Sequence, residues 1–481
     1  MKKPELVFIP TPVMGHLISA VEAAKLLVDL NDHLSITVLI IKPLLESKVN
    51  GYVQSLSATT SFSDRIRFID LPQPPKDELA NIPRTKFFTT YIESHKPLVR
   101  EAVLTRSDES VLTGFVVDML CTSMMDLATE LGVPSYVFFT SNVTFLGLLF
   151  YLQTLQDEQN MDVSEFNGSD SELPFPGFVN PLPAKALPTS VIQKDSIPIV
   201  CEMVRRFRQT KGIMVNSFVE IESHALEFLS YAENIPPIFP VGPILNLKGD
   251  GHDQFCSGEL DVMQWLDNQS PSSVVFLCFG SMGSFGEDQV QEIARALEQS
   301  GHRFLWSLRK SQPKGTISSP TDDSNLEEVL PEGFLDRTVE IGKVIGWAPQ
   351  VSVLAHPAVG GFVSHCGWNS TLESIWFGVP IAAWPLYAEQ QFNAFQLVKE
   401  LGLAVEIKMD YNKGLRLEIE PPIVTVEEIK RGIVGLMEPE SDVRKKMKVM
   451  SEKSRKASVK GGGSSYSSLQ DFIGHVLGNM P

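Results

Sequence analysis

Two stretches of the chain share one pattern of apolar and polar positions. In the first, the apolar run Leu6 to Ile9 leads through Pro10 to His16 into a segment with Leu17, Val21, Ala24 and Val28 on one stripe, then a second run from Ile36 to Ile41. In the second, Val274 to Phe279 leads through Gly280 to Gly286 into a segment with Val290, Ile293, Ala294 and Leu297 aligned, then Arg303 to Leu308. Short apolar runs bounded by turn residues predict buried strands, and apolar positions three and four apart predict a helix with one face on a core. Each stretch therefore predicts strand, helix and parallel strand, the opening of a doubly wound α/β sheet.

Between the two, Pro236-Pro237 and Pro240-Val241-Gly242-Pro243 lead into the polar stretch Asn246 to Glu259, where Lys248, Gly249, Asp250 and Gly251 cluster. Such composition predicts a linker. The expected layout is a first Rossmann-like domain over 1–245, a linker over 246–260, a second Rossmann-like domain over 261–460, and a closing segment over 461–481. In that last segment Gly461-Gly462-Gly463 precedes an expected helix, Ser464 to Leu477, that crosses back to the first domain. The Pro-rich stretch Leu71 to Lys76 and the stretch Ser311 to Asn325 read as loops. Open parallel sheets bind ligands beyond the carboxyl ends of their strands, so a cleft between two such domains is the expected site.

Length and composition narrow the class. The 481 residues fit two or three domains, at about 150 residues per domain. With 43% hydrophobic and 21% charged residues the chain reads as folded rather than disordered, collagen-like or coiled-coil. A formal net charge of −17 has the wrong sign for binding a phosphate backbone or an anionic membrane, so neither is expected as a partner. Cys121, Cys201, Cys256, Cys278 and Cys366 are widely spread, with no C-x-x-C pair, so neither a disulfide framework nor a zinc knuckle is expected. The opening Met1-Lys2-Lys3 runs at once into Pro4 and Glu5, and the run Leu6 to Ile9 is short for a signal peptide. The most apolar longer stretch, Leu131 to Leu155, is broken by Pro134, Ser141, Asn142 and Thr144. A cytoplasmic monomer without membrane insertion is the expectation.

The stretch Trp347 to Gln390 carries the most chemistry. It reads as a buried strand, Gly360 to Ser364, a tight turn, His365-Cys366-Gly367-Trp368, a short helix, Asn369 to Trp376, and another strand, Val379 to Trp384. A glycine turn opening a helix that starts with Asn369 and Ser370 is an anion site, because the first backbone N–H groups and the helix dipole point at the ligand. A diphosphate fits there. Glu373 lies one turn on, on the same face as Asn369, where a carboxylate accepts from two vicinal ribose hydroxyls. Trp347 offers an aromatic face for a base.

This segment resembles the signature box of plant secondary-product UDP-glycosyltransferases over its full length. The resemblance extends to Phe8 to His16, Phe138-Phe139-Thr140-Ser141, Gly242-Pro243 and Phe279-Gly280-Ser281. It implies the GT-B fold, two Rossmann-like parallel-sheet domains facing a cleft. It further implies that Trp347 stacks on uracil, that the Ala348 backbone and the Gln350 side chain hold the uridine, and that Glu373 binds the ribose. His365, Asn369 and Ser370 would hold the diphosphate, with Ser281 reaching it from the preceding glycine loop. Trp368, Glu389 and Gln390 would face the sugar, with Thr140 and Ser141 as further sugar contacts. A closing Gln, here Gln390, goes with UDP-glucose in that family, and many members have Asp where this chain has Glu389.

His16 follows the first strand and Asp118 ends the strand Gly114 to Val117, so both stand at carboxyl ends of strands that can be parallel neighbours. A hydroxyl is a poor nucleophile near neutral pH; a neutral imidazole takes its proton while a buried carboxylate orients the ring. The resemblance assigns the same roles, giving inverting transfer of glucose from UDP-glucose to a hydroxyl or carboxyl oxygen of a small hydrophobic plant metabolite. Flavonoids, phenylpropanoids and terpenoids are the expected acceptors. Met14, Phe87, Phe88, Met119, Leu120, Phe145 and Phe150 are the candidate lining of the acceptor pocket. No cofactor beyond the co-substrate and no metal is expected; the pair Asp322-Asp323 sits in a Ser-, Thr- and Pro-rich loop and reads as solvated surface. His356 reads as structural, and His33, His95 and His302 as surface or core fillers.

Two other classes compete. A dinucleotide-dependent oxidoreductase opens with similar units, but neither glycine loop reads G-x-G-x-x-G, and the strands that follow end near Lys42 and Arg309 rather than an acid for ribose. A non-catalytic nucleotide-sugar sensor would keep the donor residues but needs neither His16 nor Asp118.

Overall fold

In the computed structural model, which describes residues 2–42, 52, 65–73, 87–105, 110–247, 259–311, 328–412 and 422–480, the parallel strands fall into two sheets. The first has the order β3-β2-β1-β4-β5-β8-β9, with β1 Lys3–Ile9, β2 Ser35–Ile40, β3 Ile66–Asp70, β4 Ser110–Asp118, β5 Ser135–Phe139, β8 Ile213–Val215 and β9 Ile238–Pro240. The second has the order β12-β11-β10-β13-β14-β15, with β10 Val274–Cys278, β11 Arg303–Ser307, β12 Gly342–Ile345, β13 Val359–Ser364, β14 Ile381–Ala383 and β15 Ala404–Glu406. A short antiparallel pair, β6 Glu172–Leu173 and β7 Leu182–Pro183, stands apart from both. The strands are near-continuous apolar runs because helices cover both faces of such sheets.

Each sheet reverses its strand order beside its first strand. In the first sheet β1 is flanked by β2 and β4, with Ile9 opposite Val117. In the second, β10 is flanked by β11 and β13, with Cys278 opposite Ser364. Loops leaving two such neighbours diverge to opposite faces and open a crevice at the carboxyl edge. Asp118 ends β4 and His16 stands in the first turn of the helix that follows β1, while the turns that leave β10 and β13 carry Ser281 and His365.

The chain divides into two compact units. The first comprises Met1–Ser164, Gln193–Asn246 and Lys456–Pro481; the second comprises Glu165–Ile192 and Leu247–Arg455. This differs from the expected layout over Glu165–Ile192, which lies inside the first domain by sequence but packs with the second unit. There Phe178 stacks on Phe392 with ring centroids 4.9 Å apart, Phe175 lies 6.1 Å from Phe392, and Glu400 accepts from the backbone N–H groups of Val179 and Asn180 at 2.9 and 3.1 Å. The closing helix, Ser464–Gly478, belongs to the first unit: Phe472 is buried edge-on against Tyr136 and Phe239, at 5.3 and 5.4 Å.

The helix Met14–Leu30 starts earlier than the apolar stripe predicts, with Val13 as its extended N-cap. His16, expected in a loop, therefore stands in the first helical turn. Gly15 and the prolines Pro10 and Pro12 mask the start in the sequence, although neither residue type obstructs a helix before or within its first turn. No described helix is long and apolar enough to cross a membrane. Cys121, Cys201, Cys278 and Cys366 are buried free thiols. Cys256, Asp322-Asp323 and most of the expected linker lie outside the described residues.

Candidate active site

In the first unit, the carboxyl edge of β1 and β4 assembles a hydrogen-bonded cluster. Asp118 is only 2% exposed. Its Oδ1 accepts from Thr11 Oγ1 at 2.5 Å and from the Leu120 N–H at 3.0 Å, while Oδ2 accepts from His16 Nδ1 at 2.8 Å. An ionised carboxylate only accepts, so it selects the tautomer with the proton on Nδ1 and leaves the ring's lone pair on Nε2. The His16 side chain is 24% exposed, enough for a ligand to reach it. Thr140 Oγ1 lies 2.9 Å from the same Nδ1. Asn142 caps the helix Val143–Asp157 by accepting from the Phe145 N–H at 2.6 Å. The buried Glu222 completes the cap: it accepts from the N–H groups of Val143 and Thr144 and, at 2.6 Å, from Thr144 Oγ1. A carboxylate against a helix N-terminus also complements the dipole, and the Thr140-Ser141 link is thereby held between β5 and a capped helix.

In the second unit, the turn after β13 opens the helix Trp368–Phe377, with Gly367 as N-cap. Cys366 takes φ +60°, the left-handed region; its N–H donates to Ser364 Oγ at 3.1 Å and its carbonyl accepts from Asn393 Nδ2 at 3.0 Å. His365 is buried between two glycines. A Cβ on Gly280 or on Gly367 would stand 2.5 Å from its Nε2, so neither position has room for one, and Gly280 also takes φ +73°. Burial first, and the Arg309 charge second, push the His365 imidazole down to about 3. It is therefore neutral near physiological pH, and among the described residues its buried Nδ1 has no hydrogen-bond partner. Gln350 Nε2 donates to Ser370 Oγ at 2.9 Å and to Glu373 Oε2 at 2.6 Å, tying three of the expected uridine and diphosphate residues together.

Other expected residues fall as follows. Trp347 is half-buried at the end of β12, Ala348 is buried, and Ser281 and Asn369 are half-buried in their turns. Trp368 is buried, and the half-buried Glu389 is the N-cap of the helix Gln390–Phe395. Gln390 Oε1 accepts from the N–H groups of Leu386 and Tyr387 at 2.9 and 3.0 Å, so its carbonyl is committed to the backbone. In the first unit, Met14, Phe87 and Leu120 are half-buried, Phe88 is exposed and Met119 is buried. Phe145 and Phe150 are both buried. Phe145 packs 6.1 Å from Phe139; Phe150 lies 6.4 Å from Phe207 and under the Arg208 guanidinium. Phe150 stands two turns, about 10 Å, along the helix that Asn142 caps.

Thr11, Glu222 and Arg309 were not singled out by sequence. A threonine between two prolines at a strand end is the one signal for Thr11, and Arg309 is marked only as a cation, next to Lys310, closing an apolar strand. His356 bridges Asp267, at 3.1 Å, to the Ala358 N–H, a structural role. Among the described residues no group of three or more His, Cys, Asp or Glu is placed to hold a metal ion.

Comparison with known proteins adds a second line of observation. Residues 243–416 match the family model described as UDP-glucoronosyl and UDP-glucosyl transferase. The chain is 54% identical over 485 residues to a UDP-glucose flavonoid 3-O-glucosyltransferase of Fragaria ananassa, covering 99% of each. It is 55% identical over 471 residues to an anthocyanidin 3-O-glucosyltransferase of Manihot esculenta, covering 96% of this chain and 100% of the relative. Among solved structures it is similar to a ugt transferase of Siraitia grosvenorii in complex with UDP, with a TM-score of 0.87, 48% identity, and coverage of 99% and 100%. It is likewise similar to UGT71G1 of Medicago truncatula complexed with UDP-glucose, with a TM-score of 0.85, 42% identity, and coverage of 98% of each chain.

Proposed function

The chain belongs to the UDP-glucuronosyl and UDP-glucosyl transferase family and is a UDP-glycosyltransferase of the GT-B fold; from that premise we propose that it transfers glucose from UDP-glucose to an oxygen of a flavonoid or a similarly small, hydrophobic metabolite, with inversion. The observation that carries this reading is the His16–Asp118 pair, whose Nδ1–Oδ2 distance is 2.8 Å. In the proposed step the acceptor O–H gives its proton to His16 Nε2 as the oxygen attacks the anomeric carbon. The bond from that carbon to the diphosphate breaks, and UDP leaves with the electron pair. Asp118 keeps its negative charge and stabilises the imidazolium that forms. A single displacement needs no covalent sugar–enzyme intermediate, which accounts for a base beside the acceptor rather than a nucleophile.

The departing diphosphate is assigned to the N-terminus of the helix Trp368–Phe377 and to neutral His365, which acts as an N–H donor rather than as a charge. No cofactor beyond the co-substrate enters the proposed reaction. The choice of flavonoid acceptors is supported by the names of the Fragaria ananassa and Manihot esculenta relatives, and that of UDP-glucose by the Medicago truncatula complex.

The test is mass spectrometry of products from wild type and His16→Ala, each incubated with UDP-glucose and a panel of flavonoid, phenolic and terpenoid acceptors. Wild type is expected to add one hexosyl unit. The variant is expected to lose about a hundredfold or more in turnover while UDP binding, read by calorimetry, stays intact. Unchanged turnover in the variant would remove His16 as the base.

A further inference from the structure

Arg309 follows β11, between the turn that leaves β10 and the loop that leaves β12. Its guanidinium belongs to a residue only 6% exposed, yet among the described residues no carboxylate stands within ion-pair distance of it. Its hydrogen bonds run to backbone oxygens of a single turn: Nη1 donates to the Ser281 carbonyl at 2.7 Å, and Nη2 to those of Gly280 and, at 3.2 Å, of Gly283. Its Cζ lies 5.4 Å from the centroid of the Trp347 ring. A buried cation without a counter-charge is costly, and three carbonyl dipoles offset only part of that cost.

The surroundings say what would offset the rest. The turn that Arg309 ties down carries Ser281, and its Gly280 abuts the ring of His365. His365 is neutral there and adds no charge of its own. The carboxylate of Glu373 is engaged by the Gln350 amide. A fixed positive charge thus stands behind a glycine turn, beside a helix N-terminus, a setting that favours an anion.

We infer that Arg309 is a positioning residue for the donor's diphosphate: it clamps the Gly280–Gly283 turn in its binding shape and supplies a buried positive charge that the bound diphosphate neutralises. The inference rests on the donor-site reading above. It differs from a purely structural role, in which Arg309 would only steady the Trp347 ring, in which part of the nucleotide should suffer. A lost brace on Trp347 weakens the grip on the base, whereas a lost clamp and charge weaken the grip on the diphosphate.

The experiment is calorimetry on the full-length chain with UDP and, separately, with uridine, which lacks the diphosphate. Wild type, Arg309→Met and Arg309→Lys are compared. Arg309→Met is expected to weaken UDP by about thirtyfold and uridine by less than about threefold. Arg309→Lys keeps the charge but cannot reach three carbonyls at once, so its loss for UDP should fall between the two, near fivefold or so, about 1 kcal/mol. Equal losses for UDP and uridine, or UDP affinity unchanged in either variant, would overturn the inference. Should Arg309→Met lack a cooperative thermal transition, Arg309→Lys alone decides by the same comparison. Wild type that binds no UDP would instead refute the donor-site reading, an outcome distinct from variants that bind as wild type does.

Discussion

Asp118 divides its two oxygens between two tasks. Oδ1 is occupied by Thr11 and the Leu120 N–H, which leaves Oδ2 aimed at His16. Thr11→Val removes the strongest of the orienting donors with little change in volume. The loss of one hydrogen bond to a charged group is worth about 1.5 kcal/mol or more, so kcat should fall about tenfold. The Michaelis constant for UDP-glucose should not move, and steady-state kinetics separate the two. His365 yields a prediction about stability. Its folded-state pKa, about 3, lies below the ordinary value near 6.5 that it regains on unfolding. The unfolded chain therefore binds the extra proton first, so the stability tied to neutral His365 is present above about pH 6.5 and is lost progressively as pH falls toward 3. His365→Asn should flatten the fall of the melting temperature between pH 6.5 and 4, seen by differential scanning calorimetry on both proteins. At this scale the sequence was legible where a residue sits at a strand end, as Asp118 does, or follows one into a helix, as His16 does. It was not legible where the partner is a backbone group. Arg309 holds loop carbonyls and Gln390 accepts from its own loop, and neither arrangement leaves a pattern of side chains.

Among the elements, the turns after β10 and β13 were legible as glycine turns, but the reason for the glycines was not. Gly367 packs on His365 within its own turn, but Gly280 does so from 85 residues away, a long-range contact that no local pattern encodes. Gly367→Ala places a Cβ 2.5 Å from the ring nitrogen, and the ring or the turn must shift. UDP affinity should then drop by about tenfold or more, since the N–H groups of the helix N-terminus move with the turn. Gly435→Ala is the matched control. It lies inside the helix Val426–Met437 with open space where the Cβ would go, so it should stabilise by about 0.5–1 kcal/mol through helix propensity and leave UDP binding alone. Calorimetry and thermal melts of the two variants read both effects. The helix Val143–Asp157 gives the same lesson: its apolar run was plain in the sequence, whereas its cap by Glu222 comes from 79 residues away in the chain.

For the whole molecule, both parallel sheets were legible from their first strand–helix–strand units, because apolar periodicity is local. The path of the chain between units was less so. Glu165–Ile192 joins the second unit through aromatic contacts with Phe392 and Phe395, and the pairing of rings so distant in sequence leaves no local trace. The closing helix is the counterpart, a segment that follows the second unit in sequence and completes the first in space. Leu469, Phe472, Ile473 and Val476 are buried in the same apolar cluster as Leu6, Val38 and Phe138. Ser465 donates to the Gly242 carbonyl, and His475 Nε2 lies 2.7 Å from the Lys211 carbonyl. Truncating a single buried Phe costs about 3–5 kcal/mol, a large part of the roughly 5–15 kcal/mol that holds a domain folded. Phe472→Ala should therefore lower the melting temperature of the first unit by several degrees, and removal of residues 461–481 should unfold it at ambient temperature. The second unit keeps all its own segments in that truncation. Limited proteolysis of the truncated protein should accordingly digest 1–164 and 193–246 while a fragment spanning 259–455 survives. Survival of the first unit would show that its sheet is stable without the helix that completes its core.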